Sequence, residues 1–273
     1  MRAAVLGSPI IHSLSPLLHT AGYAAAGLTG WEYDAHEVDA AGLAAFVAGL
    51  GPQWRGLSLT MPLKQVGAEV ATSVSAVAHR ASAVNTLVRR EDGGWDATNT
   101  DVVGLVRALR PHLPDAVSRA LVLGAGATAR SAVLALAELG VTTLTVRARD
   151  TGRAADLLAW ALDARTGIRN GSVAELGPWV STRDDVVVST LPGSAGEAAA
   201  ATVPASHAGV LLDVVYAGWP TPLARAGSGA GMTVVSGLDM LVHQAAEQFT
   251  LFTGCEAPVE AMAAAGRAAL GQA

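Results

Sequence analysis

Gly124-Ala125-Gly126-Ala127-Thr128-Ala129 is the stretch on which the fold turns. The apolar run Ala120-Leu121-Val122-Leu123 precedes it and predicts a buried parallel strand. A helical pattern follows from Ala127 to Leu139 and stops at Gly140. Strand, glycine turn and helix, in that order, make a dinucleotide-binding unit. Gly124 permits the tight turn, and Gly126 has no Cβ to keep a pyrophosphate away from the backbone. Ala129 takes the third small position, where helix and strand must pack closely. The phosphates are then expected at the positive helix N-terminus. The turn lies mid-chain, so a large segment precedes the cofactor site.

The chain has 273 residues, room for two domains. Hydrophobic residues make up 51% and charged residues 15%, enough to fill sizeable cores and inconsistent with disorder. Charges or turn residues interrupt every apolar run, so no transmembrane helix is expected. Met1 to Gly7 holds too short an apolar run for a signal peptide and reads as a first strand. The net charge of -5 argues against nucleic acid or an anionic membrane as the main partner. Cys255 is the only cysteine, which excludes an internal disulfide and a thiol-rich metal site. His12, His19, His36, His79, His112, His207 and His243 share no metal-ligand spacing, so no metal is expected. A cytoplasmic location is the expectation, and a homodimer is left open.

Outward from the glycine turn, the pattern is α/β throughout. Strands are expected at 3–6, 31–38, 57–60 and 84–90, with a Gly93-Gly94 turn and a return over 95–98. Ser15 is expected to cap a helix that has Pro16 at its first position and Gly27 at its stop. A helical segment is expected from about Lys64, and Thr100 or Asp101 is expected to cap the next helix. Further buried strands are expected at 142–147, 186–189, 210–214 and 233–235. Gly237 opens a long helix, and an Ala-rich helix follows.

Polar residues gather at strand ends and helix starts, where open α/β sheets hold their ligands. They include Ser13 and Ser15, Lys64, Asn85-Thr86 and Asn99-Thr100-Asp101, a set that Tyr216 and Gln244 extend. Singly, each reads equally well as a cap, a turn residue or a solvated charge. Together, one lysine, one aspartate, two amides and several hydroxyls suit a small, hydroxylated, anionic ligand.

Six blocks resemble the shikimate dehydrogenase family, in the family's order. They are 7–19 (GSPIIHSLSPLLH), 56–64 (GLSLTMPLK), 82–86 (SAVNT), 99–104 (NTDVVG), 213–216 (DVVY) and 236–244 (SGLDMLVHQ). The resemblance implies reversible reduction of 3-dehydroshikimate to shikimate with NADPH, on the route to aromatic amino acids. It implies a substrate-binding catalytic domain at 1–103 and 238–273, completed by the C-terminal helices, and a Rossmann-like NADP-binding domain at 104–237. Carried over by position, Lys64 and Asp101 are catalytic. Ser13 and Ser15 bind the substrate carboxylate, Ser58, Thr60, Asn85 and Gln244 bind hydroxyls, and Tyr216 lines the cleft. The cofactor set is Gly124, Ala125, Gly126, Ala127, Thr128, Ala129, Arg149, Arg153, Thr190, Gly237 and Met240. Ser58 departs from the family, which usually has Asn there.

Cofactor choice is expected just after the strand 142–147. An acid about 20 residues past the turn would suit NAD, and an Arg suits the 2′-phosphate of NADP. Ala148 occupies the acid's position, and Arg149 and Arg153 remain, which favours NADP. Asp150 reads either as a late NAD acid or as a partner for Arg153. The competing readings are an NAD-dependent quinate/shikimate or aminoshikimate dehydrogenase and a non-catalytic metabolite sensor. A sensor has no need of both Lys64 and Asp101.

Overall fold

A computed structural model describes residues 1–163, 166–178 and 184–271. Residues 272 and 273, the last of the 238–273 segment, lie outside them. The chain divides into two compact units, Met1–Gly104 with Leu241–Ala273, and Leu105–Met240. Among the described residues each unit holds one six-stranded sheet.

The first unit begins β1 (Arg2–Gly7), α1 (Ser15–Ala25), β2 (Glu32–Glu37), α2 (Leu43–Ala48) and β3 (Trp54–Leu59). It continues β4 (Ser73–Val74), α3 (Ala76–Ala81), β5 (Thr86–Arg89), β6 (Trp95–Thr98) and the start of α4 (Asp101–Leu109). Its sheet order is β2-β1-β3-β5-β6-β4. β1 pairs in parallel with β2 and β3, while β5 runs antiparallel to both β3 and β6. Leu6, Leu57, Leu63, Val84, Leu87 and Trp95 form one core under this sheet.

The second unit runs β7 (Arg119–Leu123), α5 (Ala127–Glu138), β8 (Thr143–Ala148), α6 (Thr151–Ala161) and β9 (Asn170–Glu175). Then come β10 (Val186–Ser189), α7 (Gly193–Ala200), β11 (Val210–Asp213), α8 (Pro222–Gly229) and β12 (Thr233–Ser236). The order β12-β11-β10-β7-β8-β9 is parallel throughout. Such a sheet is buried on both faces, which explains why β7, β10 and β11 read as continuous apolar runs. Its strand order reverses between β7 and β10, the point where doubly wound sheets bind their ligands.

The long helix α9 (Gly237–Thr253) leads the chain back to the first unit, where α10 (Val259–Ala269) packs on α1. Phe249 and Phe252 of α9 join Tyr23 and Tyr33 around His19, whose ring stacks on Tyr33 at 4.1 Å. Gly56 of β3 makes room for this cluster, since a Cβ there would meet the Phe252 ring at 2.0 Å.

Several local expectations change. Ser15 is the first residue of α1 rather than its cap, and Leu14 at the cap position offers no side-chain acceptor. The Ser13 hydroxyl accepts the Ser15 N–H instead, at 3.3 Å. On α4 the side-chain cap is Asn99, whose Oδ1 accepts from Val102 N at 3.3 Å. The segment from Lys64 is two short 3₁₀ turns, Leu63–Gln65 and Gly67–Val70, not an α-helix. A Cβ at Gly67 would come within 2.6 Å of the Leu59 side chain, so the chain passes close to β3 there.

Candidate active site

The substrate-side candidates of the first unit fall at the ends of its elements. β3 ends at Leu59, and Thr60 N–H bonds to the Leu6 carbonyl at 2.9 Å, holding the following turn against β1. That turn carries Lys64. β6 ends at Thr98, and Asp101 begins α4 two residues after Asn99. The helix N-terminus favours a carboxylate at this place. Lys64 Nζ donates to Asp101 Oδ2 at 2.6 Å, with the lysine side chain 17% and the aspartate 4% exposed. Asn85 Nδ2 donates to the other oxygen, Oδ1, at 2.8 Å. Both oxygens of the buried carboxylate are therefore held, one by an ammonium and one by an amide. Charge-assisted bonds of this kind are short and strong.

Asn85 is almost fully committed. Its Oδ1 accepts from Thr100 N at 2.7 Å and from the Thr86 hydroxyl at 2.8 Å. Its remaining N–H is shared between Thr100 Oγ1 at 3.0 Å and Gln244 Oε1 at 3.2 Å. Gln244 thus uses its oxygen inside the protein. Ser58 differs from expectation. Its hydroxyl receives the Tyr33 proton at 2.6 Å and gives its own to Gln248 Oε1 at 2.8 Å, so it has no proton left for a ligand. The Tyr33 hydroxyl lies beside both Ser58 and Ser15, and burial pushes its phenol well above the usual range. Tyr33 and Gln248 carry no motif of their own. The signal for Gln248 was its i, i+4 spacing from Gln244, which places both on one face of α9.

The remaining candidates belong to the second unit. Gly124 has φ +106°, and a Cβ on it would meet Thr190 Oγ1 at 2.4 Å. Thr190 donates through both its N–H and its hydroxyl to the Leu123 carbonyl, at 2.8 and 3.0 Å. Gly124 and Thr190 therefore meet where the strand order reverses. Gly126 sits at the N-cap of α5 with no side-chain cap, so the first N–H groups of the helix are left for a ligand. A Cβ on Gly126 would find nothing within 4 Å. Open space, free donors and a positive helix end fit a dinucleotide pyrophosphate. Ala125, Ala127 and Thr128 line this turn half-buried, and Ala129 is fully buried against the sheet.

Ala148, the last residue of β8, is buried, while Arg149 and Arg153 beyond it are exposed. Asp150 caps α6, its Oδ1 accepting from Arg153 N at 3.0 Å. That bond gives Asp150 a backbone role at the start of α6. Arg147 is structural, its guanidinium donating to the carbonyls of Gly177 and Pro178. Tyr216 follows β11 in a loop anchored by Asp213, which accepts from Thr221 Oγ1 at 2.7 Å and Val215 N at 3.4 Å. Burial pushes both the Asp213 carboxyl and the Tyr216 phenol upward. Gly237 and Met240 open α9; a Cβ on Gly237 would strike the Val214 carbonyl oxygen at 2.2 Å, so this glycine has a packing reason of its own.

Residues 5–87 match the family model for the shikimate dehydrogenase substrate binding domain, and 237–265 match that for the shikimate 5'-dehydrogenase C-terminal domain. A shikimate dehydrogenase (NADP(+)) of Halorubrum lacusprofundi is 38% identical, over 97% of this chain and 98% of its own length. The chain belongs to the shikimate dehydrogenase family. Two solved structures of that family extend the likeness to three dimensions. The Mycobacterium tuberculosis shikimate dehydrogenase has a TM-score of 0.87 at 45% identity, covering 98% of this chain and 99% of that one. The Thermus thermophilus shikimate 5-dehydrogenase, in complex with NADP(H) and shikimate, has a TM-score of 0.85 at 32% identity, covering 99% and 100%. Family membership accounts for the order of the six sequence blocks and for the α/β architecture of both units.

Proposed function

We infer that this chain is an NADP-dependent shikimate dehydrogenase, reducing 3-dehydroshikimate reversibly to shikimate in the synthesis of aromatic amino acids. Its closeness to relatives of that name over nearly the whole length supports the reaction. The observation that carries the mechanism is the partly buried Lys64–Asp101 pair at 2.6 Å. Hydride arriving at a ketone carbon turns its oxygen into an alkoxide, which needs a proton in the same step. The hydride would come from NADPH held at the glycine turn of the second unit. Lys64 Nζ gives the proton to the nascent hydroxyl oxygen, and Asp101 holds the ammonium in place while it does so. The oxidation of shikimate uses the same pair in reverse, with neutral Lys64 as the base.

Ser13 and Ser15 are the proposed donors to the substrate carboxylate, at the start of α1. Thr60, Asn85 and Gln244 are proposed to bind the ring hydroxyls, and Tyr216 to line the substrate's other side. Arg149 and Arg153 suit the 2′-phosphate of NADP. The substrate-binding and NADP-binding domains are proposed at 1–103 with 238–273 and at 104–237. Among the described residues, no helix is long and apolar enough to cross a membrane. A cytoplasmic enzyme, alone or as a homodimer, without nucleic acid, is the accompanying proposal. Steady-state rates of purified protein with shikimate and quinate, each with NADP and NAD, test the reading. A higher kcat/KM for shikimate with NADP is expected. No turnover with shikimate despite binding would replace it with a sensor.

A further inference from the structure

The hydrogen bonds that reach Asp101 begin outside the substrate-binding set and run in one direction. Tyr33 donates to Ser58 at 2.6 Å, and Ser58 donates to Gln248 Oε1 at 2.8 Å. Gln248 Nε2 then donates to the Asn85 main-chain carbonyl at 3.1 Å and to Thr86 Oγ1 at 2.9 Å. The Thr86 hydroxyl donates to Asn85 Oδ1 at 2.8 Å, and Asn85 Nδ2 donates to Asp101 Oδ1 at 2.8 Å. Every bond in this series is buried.

The polarity leaves little choice of arrangement. A main-chain carbonyl can only accept, so the Gln248 nitrogen must face Asn85. Its oxygen then turns to the donors on its other side, the Ser58 hydroxyl at 2.8 Å and the His19 ring. Thr86 receives a proton from Gln248 and so turns its own toward Asn85. This directs the Asn85 carbonyl away from Asp101 and its NH₂ toward the carboxylate. Thr100 N–H enforces the same orientation from the other side. Without the Gln248 amide, Thr86 is free to turn to Thr100 Oγ1, 3.3 Å away, and Asn85 loses one of its two fixed partners.

We propose that Gln248 is a positioning residue for the Lys64–Asp101 pair, acting through Thr86 and Asn85 without touching substrate. Ser58 belongs to the same support, because its proton is spent on Gln248. One side chain of α9, Gln244, thus meets the Asn85 amide directly, while another, one turn on, fixes its backbone and its neighbour. The chemistry needs this because a catalytic group displaced by about 1 Å can lose about 10²-fold in rate.

The inference rests on Lys64 and Asp101 being the proton-transfer pair, and its test separates the two claims. Gln248→Met keeps the volume and removes the amide. Gln248→Asn keeps an amide too short to reach both partners, and serves if the first variant fails to fold. Thr86→Val breaks the next link. With folding checked by thermal melts, Gln248→Met and Thr86→Val should each lower kcat by about tenfold, within the range expected for a displaced catalytic group. KM for NADP should stay within about twofold, since the series does not reach the cofactor turn. The solvent deuterium isotope effect on kcat should rise, because proton transfer becomes more limiting. The Gln248→Met/Thr86→Val double variant should be no slower than the worse single one, as expected for links of one series. Unchanged kcat and isotope effect in the folded Gln248 variants, or losses that multiply in the double variant, would overturn the proposal. If wild-type protein does not turn over shikimate, the functional reading fails first. The Asn85 side-chain amide resonances of ligand-free protein then decide: a shift in Gln248→Met upholds the support, and unchanged signals overturn it.

Discussion

At the scale of single residues, Lys64 carries the sharpest prediction. Lys64→Ala should lower kcat by about 10²–10⁴-fold, the usual worth of a positioned acid or base. KM for shikimate should change less, because the proposed donors Ser13, Ser15 and Gln244 are intact. A variant with wild-type kcat and weakened binding would make Lys64 a substrate clamp. Asp101→Asn should lower kcat too, by removing the charge that holds the ammonium. Arg149 carries a second test. It is exposed on the chain that follows β8, so its guanidinium can meet a phosphate there. Arg149→Ala should raise KM for NADP severalfold more than KM for NAD, since only NADP has the 2′-phosphate. Equal losses with both cofactors would make this arginine structural.

At the scale of elements, the turn between β7 and α5 puts its two glycines to different uses. Gly124→Ala forces a side chain onto φ +106° and against Thr190, so it should cost about 1–3 kcal/mol of stability. Gly126→Ala meets no protein atom and should leave the melting temperature unchanged while raising KM for NADP. A melting point lowered equally by both substitutions would contradict this division. Helix α1 yields a pH test. His19 is fully buried, and burial pushes its pKa from 6.5 down to about 3. Because the folded value lies below the unfolded one, the unfolded chain binds the proton first as pH falls. Stability should therefore drop by up to about 1.4 kcal/mol per pH unit from this residue, from near pH 6.5 down to about 3. Denaturant unfolding of His19→Phe should show a flatter pH dependence across that window; an unchanged slope would refute the assignment. What could be read beforehand at this scale followed local rules. The glycine turn, the buried strands β7, β10 and β11, and the 3.6-residue pattern of α9 each announce themselves within a dozen residues. β9 did not, because its sequence Asn170 to Glu175 is a polar edge strand paired on one side only. Nor did the cap of α1, where Ser13 rather than Ser15 satisfies the backbone. The role of Ser58 was equally hidden, since it depends on Gln248, 190 residues away in sequence.

At the scale of the whole molecule, each unit has its own sheet and its own core, so each should respond to its own ligand. The first is built around Leu6, Leu57 and Leu87, the second around Leu121, Val187 and Leu211. The sequence separates their candidate sites in the same way: Lys64, Asn85, Asp101 and Gln244 in the first, the glycine turn, Thr190 and Arg149 in the second. A ligand that binds only the folded form stabilises it by about 2.7 kcal/mol at 100 times its Kd. That energy appears as slower hydrogen exchange wherever opening would release the ligand. Shikimate alone should therefore slow exchange mainly in the elements around β3, β5 and α4 of the first unit. NADP alone should act mainly on β7, the first turn of α5 and β10. The two helices that carry the chain across the boundary, α4 and α9, carry two of the proposed site residues, Asp101 and Gln244. Their first-unit ends should accordingly be protected by shikimate more than by NADP. Hydrogen exchange followed by mass spectrometry on the free protein and with each ligand separately measures all of this. Equal protection of both units by NADP alone would mean that the two sheets open as a single cooperative body, and that the division into separately stabilised units does not hold.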